Sequence, residues 1–421
     1  NELLNTALKH LQALGNTLIL VEHDPLTILA ADYLFDFGPK AGREGGEITA
    51  RGTIPEILKN PNSLTGAYLS GRKKIPIPQK RRPYSPDIRI ENAHLHNLKN
   101  ISVAFPKGAI TALSGVSGSG KSTLMRHLLK PAAEQAINSS KKQEPIEYLG
   151  ALFYGLNQFE KVITVDQSPI GQTSRADVST YAEILPLIRS FYAELPTAQV
   201  KGLQPRHFSP NHIRGMCRTC WGLGYKIVDL QFLPSVQITC DACKGFRLNP
   251  ISLEVRYKGK HVGEVLTMSV EEALSWFSAI PRIVRRLETL IAVGLPYLHL
   301  GQGLATLSGG EAQRLRLSRE LAKRESGKTL YLIDEPTVGL HSEDVLKLLK
   351  IFHALTAKKN TLVIIEHNLD ILANADYLID LGPDAGDEGG YIVTSGTPEE
   401  VALSKKSRTA KYLKEHLSHG K

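Results

Sequence analysis

Residues 115–123 read Gly-Val-Ser-Gly-Ser-Gly-Lys-Ser-Thr, which matches the phosphate-loop pattern G-x-x-x-x-G-K-[ST]. The apolar stretch 109–113 (AITAL) predicts a strand before the loop, and residues 121–129 predict a helix after it. In that setting backbone N–H groups and a helix N-terminus face a phosphate, so a plain Gly/Ser-rich surface loop is the weaker interpretation. The predicted nucleotide-binding residues are Gly115, Ser117, Gly118, Ser119, Gly120, Lys121, Ser122 and Thr123.

Residues 330–335 (LYLIDE) end a nearly continuous apolar run, typical of a buried parallel strand, with two adjacent acids. Carboxylates at the buried end of a strand are costly without a partner, and Mg²⁺ is a natural one. We predict that Asp334 and the Ser122 hydroxyl hold Mg²⁺ and that Glu335 polarises an attacking water. Lys121 is expected to reach the β- and γ-phosphates of ATP.

A second apolar run, residues 361–367 (TLVIIEH), ends in His367, which is expected to contact the γ-phosphate. A purely structural histidine is the alternative. Alternating apolar positions from Ile88 to Val103 predict further strands and a hairpin. Because amphipathic helical stretches separate the apolar runs, the fold class is predicted to be α/β.

One stretch of the chain occurs twice. Residues 16–53 align without a gap on residues 360–397, and 20 of the 38 positions are identical. A solenoid is excluded, because solenoid repeats have periods of roughly 20–50 residues. We therefore predict a duplicated domain whose first copy is only a C-terminal piece, in which His23 is the counterpart of His367 without the rest of its site.

Residues 307–314 (LSGGEAQR) place a Ser-Gly-Gly turn at the start of a helix rich in Arg and Leu. Such a turn is an anion site; it is also compatible with a capping box formed by Ser308 and Glu311. The segment resembles the signature motif of ATP-binding-cassette ATPases, which faces the ATP held by an opposite cassette. The resemblance implies that Gln167, in VDQSPIG, is the glutamine that senses metal and nucleotide. The implied signature contacts are Ser308, Gly309, Gly310 and Glu311.

The four cysteines form two C-x-x-C pairs separated by 19 residues, which is the spacing of a Cys₄ zinc site. Four thiolates complete a tetrahedron and leave no open position, so we predict a structural zinc. Four reduced core cysteines are the alternative, but they would have to form both pairs by chance. The predicted ligands are Cys217, Cys220, Cys240 and Cys243.

The net charge is +9, and residues 201–247 contain seven Lys or Arg against two acids. A solvated basic face is one interpretation, but the clustering favours a polyanionic partner. A second basic run, residues 72–82, alternates with prolines and predicts an extended linker. No apolar run approaches the roughly 20 residues of a membrane helix. The candidate DNA contacts are Arg206, Arg214, Arg218, Lys226 and Lys244.

Taken together, the motifs resemble the UvrA family of excinuclease proteins, which carries a zinc module between the Q-loop and the signature. The resemblance covers essentially the whole chain and includes SGRKKIPIP, ENAHLHNLKNI, RGMCRTCWGLGY and GPDAGDEGG. It implies a cytoplasmic, Mg²⁺-dependent ATPase of nucleotide excision repair that forms a homodimer in its full-length form. Such a protein recognises damaged double-stranded DNA and loads UvrB, the helicase-like component of the excinuclease.

The fold implied is a P-loop cassette with an inserted Cys₄ zinc module, preceded by a piece of another cassette. We expect slow ATP hydrolysis and poor recruitment of UvrB by this chain, which lacks most of the first cassette. Residues 171–178 (GQTSRADV) depart from the more basic, proline-containing pattern of the family, so a UvrA-like paralogue in antibiotic self-resistance or RNA binding is the alternative. The predicted segments are the first-cassette remnant 1–71, the linker 72–87, the phosphate-loop half 88–195, the zinc-module insertion 196–275, and the signature and Walker B half 276–421.

Overall fold

The chain folds as two units, Asn1–Asp166 with Arg324–Lys421 and Gln167–Lys323, so the second unit is inserted in the sequence of the first. This inserted unit contains all four cysteines and is longer than the predicted insertion 196–275. A computed structural model describes residues 2–39, 45–139, 144–166, 168, 170, 175–230, 235–322 and 327–419.

The N-terminal part of the first unit begins with the repeat copy and continues into the phosphate-loop region. A π-helical stretch, Thr123–Leu129, follows the phosphate loop and runs directly into a regular helix. The elements are α1 (Glu2–Ala13), α2 (Pro25–Leu29), β1 (Leu34–Gly38), β2 (Glu47–Gly52), α3 (Ile54–Lys59), α4 (Leu64–Leu69), β3 (Ile88–Ala93), β4 (Ile101–Phe105), β5 (Ile110–Gly115), α5 (Lys130–Asn138), β6 (Ile146–Tyr148), β7 (Ala151–Tyr154) and β8 (Lys161–Val165).

In the described part of the inserted unit, the fold is mainly helical, and the two strands pair with each other. The elements are α6 (Val178–Tyr181), α7 (Leu185–Ala193), α8 (Pro196–Val200), β9 (Tyr225–Val228), β10 (Val236–Thr239), α9 (Pro250–Leu253), α10 (Val262–Leu266), α11 (Val270–Trp276), α12 (Pro281–Ala292) and α13 (Gly309–Leu321).

The chain then returns to the first unit and completes its main sheet. The remaining elements are β11 (Thr329–Asp334), α14 (Ser342–Ala357), β12 (Thr361–Ile365), α15 (Leu369–Asn374), β13 (Tyr377–Gly382), β14 (Tyr391–Gly396), α16 (Pro398–Val401) and α17 (Arg408–His419). None of the helices in the described ranges is long and apolar enough to cross a membrane.

The main sheet of the first unit has the strand order β14–β13–β5–β12–β11–β8 and is parallel except for β14. Strands β5, β11 and β12 are buried at every position, as their continuous apolar runs predict. The α/β prediction is therefore confirmed. The carboxyl ends of these neighbouring strands carry the phosphate loop, Asp334 and the segment that leads to His367, and ligands of open α/β sheets bind at such strand ends.

A second sheet, β4–β3–β7–β6, is antiparallel. Its apolar residues, such as Ile90 and Phe153, share one core with the helical stretch that follows the phosphate loop and with the main sheet. Leu128 and Leu332 represent those two elements in that core. This shared packing fixes the helix N-terminus, and with it the phosphate loop, relative to β11.

The repeat is confirmed in three dimensions, because the hairpins β1–β2 and β13–β14 have the same register. Leu34 pairs with Gly52 in the first, Leu378 pairs with Gly396 in the second, and each hairpin has an irregularity directly after its aspartate. A capping box on the following helix is also present in both copies. Both pieces of chain are therefore the same substructure.

The structural repeat extends beyond the sequence match that ends at Thr53 and Thr397. Asp36 accepts hydrogen bonds from the hydroxyls of Ser63 and Thr65 at 2.6 and 2.7 Å. At the equivalent place Asp380 accepts one from the hydroxyl of Thr409 at 2.9 Å. Identity is lower here than in the matched segment, because five of the 16 positions from 54 to 69 are identical to those from 398 to 413, among them the threonine that binds the aspartate.

The copies differ where the first lacks neighbours. Residues 16–24, which correspond to β12 and its switch segment, form no strand, and Ile19 and Val21 are 91% and 92% exposed. Strand β12 is flanked by β5 and β11, whereas the described residues before this segment form α1. An isolated apolar strand cannot satisfy its backbone groups or bury its side chains.

The basic run 72–82 lies in a segment without helix or strand, and part of its charge is used within the first unit. Arg81 forms an ion pair with Glu399 at 2.6 Å, and Arg82 forms one with Asp376 at 2.9 Å. Arg82 also contacts Nδ1 of His353 at 2.9 Å. These guanidinium groups bind the linker to the cassette, so their charge is already paired with carboxylates of the first unit.

Candidate nucleotide site and metal centre

The phosphate loop is held from outside by a second glycine-rich loop. The Gly390 N–H donates to the Ser119 carbonyl at 3.2 Å, and the Asn97 amide donates to the Gly118 carbonyl at 2.9 Å. Gly115 has a φ of 127°, and a Cβ there would lie 2.0 Å from the Leu381 carbonyl oxygen. Glycine is therefore required at this position both by conformation and by space. The supporting loop belongs to GPDAGDEGG, whose role the sequence did not reveal.

Lys121 is buried at the base of this loop. Its ammonium donates to the carbonyls of Gly115 and Val116, each at 2.8 Å. Burial lowers the pKa of Lys121, and the carboxylates of Glu335, Asp380 and Asp334 oppose that shift. These carboxylates favour the charged form of Lys121, and a charged ammonium at the base of a phosphate loop can bind an anionic group.

Asp334, the last residue of β11, is almost buried and forms an ion pair with Arg126. Burial raises the pKa of the Asp334 carboxyl, whereas the Arg126 guanidinium opposes this increase. Arg126 lies in the π-helical stretch after the phosphate loop, and sequence reasoning gave it no role. No motif marks it, since its function here depends on where the helix places it.

Glu335 adopts a left-handed backbone conformation with φ of 45°, which is costly for a residue with a Cβ. Its N–H donates to the Ile365 carbonyl at 2.9 Å, so the turn is fixed to the end of β12. Its side chain is 42% exposed, and Oε1 lies 3.7 Å from Nε2 of His367. The turn thus presents a partly exposed carboxylate beside an imidazole.

Glu366 is a residue that sequence reasoning missed, and it organises this turn. One carboxylate oxygen accepts from the Thr337 N–H and hydroxyl at 2.9 and 2.5 Å. The other accepts from the N–H groups of His367 and Asn368 at 2.8 and 3.0 Å. The residue is only 2% exposed and receives four donors. The available signal was that Glu precedes His in both copies of the repeat, as Glu22-His23 and Glu366-His367.

His367 lies two residues beyond the end of β12 rather than at the strand end. Partial burial and the nearby Lys121 ammonium lower the pKa of His367 to about 4, although Asp334 and Asp380 oppose the shift. The imidazole is therefore neutral at physiological pH and can donate or accept a hydrogen bond. Because the charges of Lys121 and Asp334 both act on His367, these three predicted site residues lie close together.

The remaining sequence predictions for this site divide into two groups. The phosphate-loop residues from Gly115 to Thr123 form the predicted turn and helix start, with Ser122 exposed at the beginning of the helical stretch. Gln167 lies outside the described residues, so its role stays a prediction. The contacts of the nucleotide-binding residues to ATP also stay predictions.

The signature motif lies in the inserted unit and begins α13. Ser308 and Glu311 form a capping box, in which the Ser308 N–H donates to the Glu311 carboxylate at 2.8 Å. The other Glu311 oxygen accepts from the Tyr297 hydroxyl at 2.8 Å. Burial and the Glu311 carboxylate raise the pKa of Tyr297 to about 12, and Arg314 opposes the shift. The capping interpretation is confirmed, and it leaves the Gly309 and Gly310 backbone in the first turn of the helix.

The four cysteines are buried together, and their sulfur atoms all lie within 4.8 Å of one another. Cys217 and Cys240 sulfurs are 4.0 Å apart, and those of Cys220 and Cys243 are 3.6 Å apart. The Gly224 N–H points to the Cys220 sulfur at 3.2 Å. Burial raises the pKa of the Cys220 thiol, and that N–H opposes the shift. Four clustered sulfurs fit a tetrahedral thiolate site, whose cation would favour the deprotonated form.

The candidate DNA contacts Arg206, Arg214, Arg218, Lys226 and Lys244 are all exposed. Between the cysteine pairs, β9 and β10 form a two-stranded antiparallel ribbon. Its surface is largely apolar, however: Ile227 and Ile238 are 62% and 50% exposed. Lys226, on β9, is paired with Asp241 at 3.2 Å. The ribbon therefore adds mainly apolar surface beside these exposed basic residues, and their contact with DNA stays a prediction.

Comparison with known proteins agrees with this geometry. The family model described as "ABC transporter" matches residues 98–179. UvrABC system protein A from Aquifex aeolicus is 50% identical over 422 residues, which cover 99% of this chain and 45% of that protein. The same protein from Escherichia coli K12 is 48% identical over 419 residues, or 99% of this chain and 44% of that protein.

A solved structure, that of UvrA2 from Deinococcus radiodurans, is also similar. It superposes with a TM-score of 0.89 at 40% identity, over 99% of this chain and 50% of that chain. The chain therefore spans less than half the length of the two curated relatives and half of the solved one.

Proposed function

Since the chain belongs to the UvrA family of ATP-binding-cassette ATPases, we propose that it provides an ATP-hydrolysing cassette of a protein that recognises damaged DNA in nucleotide excision repair. The observation that carries this proposal is the convergence of Lys121, Asp334, Glu335 and His367 at the strand ends of one sheet. The family relationship supplies the DNA-repair context, and the site supplies the chemistry.

In the proposed site, ATP is the substrate, and its phosphates lie along the phosphate loop. Lys121 exchanges its two neutral carbonyl partners for β- and γ-phosphate oxygens, so that its ammonium gains charge-assisted hydrogen bonds. Ser122 and Asp334 would hold Mg²⁺, and that ion would neutralise charge that develops on the phosphates. Arg126, the present partner of Asp334, would have to give up or share this carboxylate.

Glu335 would orient and polarise the water that attacks the γ-phosphate, because its carboxylate is accessible and its backbone is fixed to β12. The neutral His367 would donate a hydrogen bond to the γ-phosphate from the same side. Glu366 would keep both residues in place through its four hydrogen bonds. Preorganisation of this kind supplies most of the catalysis in phosphoryl transfer.

The signature turn at Ser308 would bind the γ-phosphate of ATP held by a different cassette. Full hydrolysis therefore needs two cassettes, from one longer chain or from a homodimer, and we expect slow turnover by this chain alone. In the inserted unit, the four cysteines would hold a structural zinc. The exposed arginines and lysines around that centre would contact phosphates of damaged duplex DNA. The proposed protein partner, which would be loaded onto the damaged DNA, is UvrB of the excinuclease.

Salt dependence and lesion preference test the DNA-binding part of this proposal. Binding to matched duplexes with and without a single bulky lesion is measured by fluorescence anisotropy at several salt concentrations, with no nucleotide, ADP or a non-hydrolysable ATP analogue. We expect tighter binding to the lesion duplex in at least one nucleotide state, and a log–log salt slope that falls by about one for each phosphate contact removed.

Arg218→Gln is the test variant, because this arginine is exposed beside the cysteine turn. Arg81→Gln is the matched control, because its guanidinium is engaged with Glu399. Arg218→Gln should weaken binding and lower the slope, whereas Arg81→Gln should leave the slope unchanged. Equal affinity for damaged and undamaged duplex in every nucleotide state would reject damage recognition. Preference for structured RNA over duplex DNA would favour the paralogue interpretation instead.

A further inference from the structure

Arg247 connects both cysteine turns to a separate segment of the inserted unit. Its Nε donates to the Gly222 carbonyl at 2.8 Å, Nη1 to the Asp177 carboxylate at 2.9 Å and Nη2 to the Arg175 carbonyl at 3.3 Å. Its own carbonyl accepts from the Cys217 N–H at 2.9 Å. The side chain is 13% exposed, and the backbone adopts a φ of 68°. One residue thus joins three backbone segments that are distant in sequence.

Asp177, the ionic partner, has a second task. Its other oxygen accepts from the Thr180 N–H at 2.8 Å and the Ser179 hydroxyl at 2.9 Å, and it caps α6. The side chain is only 1% exposed. Because both oxygens are engaged and water is excluded, a change at Arg247 acts directly on the position of residues 175–180.

The same segment is bonded to the chain that leads into the signature turn. Asp177 forms a β-bridge with Gly303. The Val178 N–H donates to the Gln302 carbonyl, and the Leu304 N–H donates to the Ala176 carbonyl, each at 3.0 Å. Residues 304–306 then form one tight turn before Ser308. Four residues after Leu304 the chain reaches Ser308, the N-cap of α13, which carries the signature.

We propose that Arg247 is a positioning residue that couples the order of the cysteine centre to the signature turn, with Asp177 as the connecting group. The inference rests on the proposed function, in which the cysteine centre lies near DNA and the signature turn binds nucleotide. An ion pair with a purely local role would join only its own two side chains. Arg247 instead spans the first cysteine turn, the residues after the second, and the segment bonded to residues 302–304.

Hydrogen–deuterium exchange of the zinc-loaded chain tests this coupling without any activity measurement. Zinc is removed with a thiol-reactive mercurial and a chelator, and exchange is compared at peptides that contain 176–180 and 302–308. In the unaltered chain, removal should speed exchange at these peptides by about tenfold or more, as well as around the cysteines. Unchanged exchange at 176–180 and 302–308, with faster exchange around the cysteines, would overturn the proposal.

Two variants separate coupling from simple loss of stability. Arg247→Met removes every side-chain donor and keeps the apolar stem. Asp177→Asn can keep the helix cap on its carbonyl oxygen, but it turns an NH₂ donor towards Arg247 in place of the accepting oxygen. With zinc bound, both should exchange faster at 302–308, and subsequent zinc removal should add little. Arg256→Met is the control, because it removes an exposed arginine that pairs with Glu264 at 3.1 Å in the same unit.

The exchange rates of the three variants distinguish coupling through Arg247 from a general loss of stability. If Arg256→Met behaves like Arg247→Met, or if Asp177→Asn keeps a full zinc-dependent response at 302–308, the coupling is rejected. Zinc content of each variant, measured by a colorimetric assay, shows whether the centre is still loaded. Absence of DNA binding or of ATP retention in the unaltered chain would reject the proposed function and would leave the exchange result as it stands.

Discussion

Glu366→Gln should destabilise the first unit although it preserves the shape of the side chain. The carboxylate now accepts four hydrogen bonds, two on each oxygen. Glutamine can keep two of them with its carbonyl oxygen. If its NH₂ faces Thr337, the threonine hydroxyl can rotate and accept, but the Thr337 N–H is left buried without a partner. The opposite orientation leaves two N–H groups without an acceptor, those of His367 and Asn368, and is therefore less stable.

The expected cost is that of one buried unsatisfied donor, about 2 kcal/mol. For a unit of this size, that corresponds to a fall of about 4–8 °C in the midpoint of thermal unfolding. Circular dichroism reports the unfolding of both units. Both tryptophans of the chain, Trp221 and Trp276, lie in the inserted unit, so their fluorescence identifies the transition of that unit, and the remaining circular-dichroism transition is that of the first unit. The circular-dichroism midpoint of the first unit should fall while the fluorescence midpoint stays in place.

Glu22→Gln is the matched control from the other copy of the repeat. Glu22 is exposed and accepts the His23 N–H at 3.1 Å, the equivalent of one bond made by Glu366. Its substitution should cost less than about 0.5 kcal/mol. If both substitutions lower the midpoint equally, or if Glu366→Gln has no measurable effect, then Glu366 does not anchor the turn and this part of the reasoning is wrong.

Three further results are expected. Arg126→Asn frees Asp334 from its cationic partner, so Mn²⁺ should bind several-fold more tightly in the presence of ATP by electron paramagnetic resonance; unchanged affinity would contradict the ion pair as a competitor. The His367 imidazole, identified by its loss in His367→Gln, should titrate near pH 4 by NMR. Because the pKa of His367 falls on folding from 6.5 to about 4, the unfolded chain binds more protons than the folded chain between these pH values. The contribution of His367 to stability is therefore complete above about pH 6.5 and is lost as the pH falls towards 4. An NMR titration midpoint near 6.5 would contradict the effect of burial on this imidazole. Chelation of zinc should lower the fluorescence midpoint of the inserted unit and leave the circular-dichroism midpoint of the first unit unchanged, whereas the opposite pattern would place the metal elsewhere.

The sequence predicted the parts of this molecule that are defined by local pattern. Glycine spacing placed the phosphate loop, the continuous apolar runs identified β11 and β12, and the paired C-x-x-C turns predicted the cluster of four cysteines. Each of these signals lies in a short window, where the residue types are required by the backbone conformation or by the ligand. The duplication was visible for the same reason, since a long segment keeps both its turns and its core.

The side chains that hold the site together could not be predicted in the same way. Arg126, Asn97 and Glu366 act on groups that are distant in sequence, and the fold alone brings them into contact. The apolar ribbon surface was missed because counting charges over residues 201–247 does not show which of them lie on β9 and β10. The extension of the repeat to Thr65 and Thr409 was missed because the identity falls to five of 16 positions in residues 54–69, from 20 of 38 in the matched segment.

The central claim is that Lys121 binds the phosphates of ATP in the same site in which Glu335 promotes hydrolysis. The most direct measurement is the identity and amount of radiolabelled nucleotide retained by the zinc-loaded chain after incubation with Mg²⁺ and ATP. The account predicts that Glu335→Gln retains intact ATP, that Lys121→Met retains almost none, and that the unaltered chain slowly converts ATP to ADP. Retention by Lys121→Met equal to that of the unaltered chain, or hydrolysis by Glu335→Gln at the unaltered rate, would contradict it.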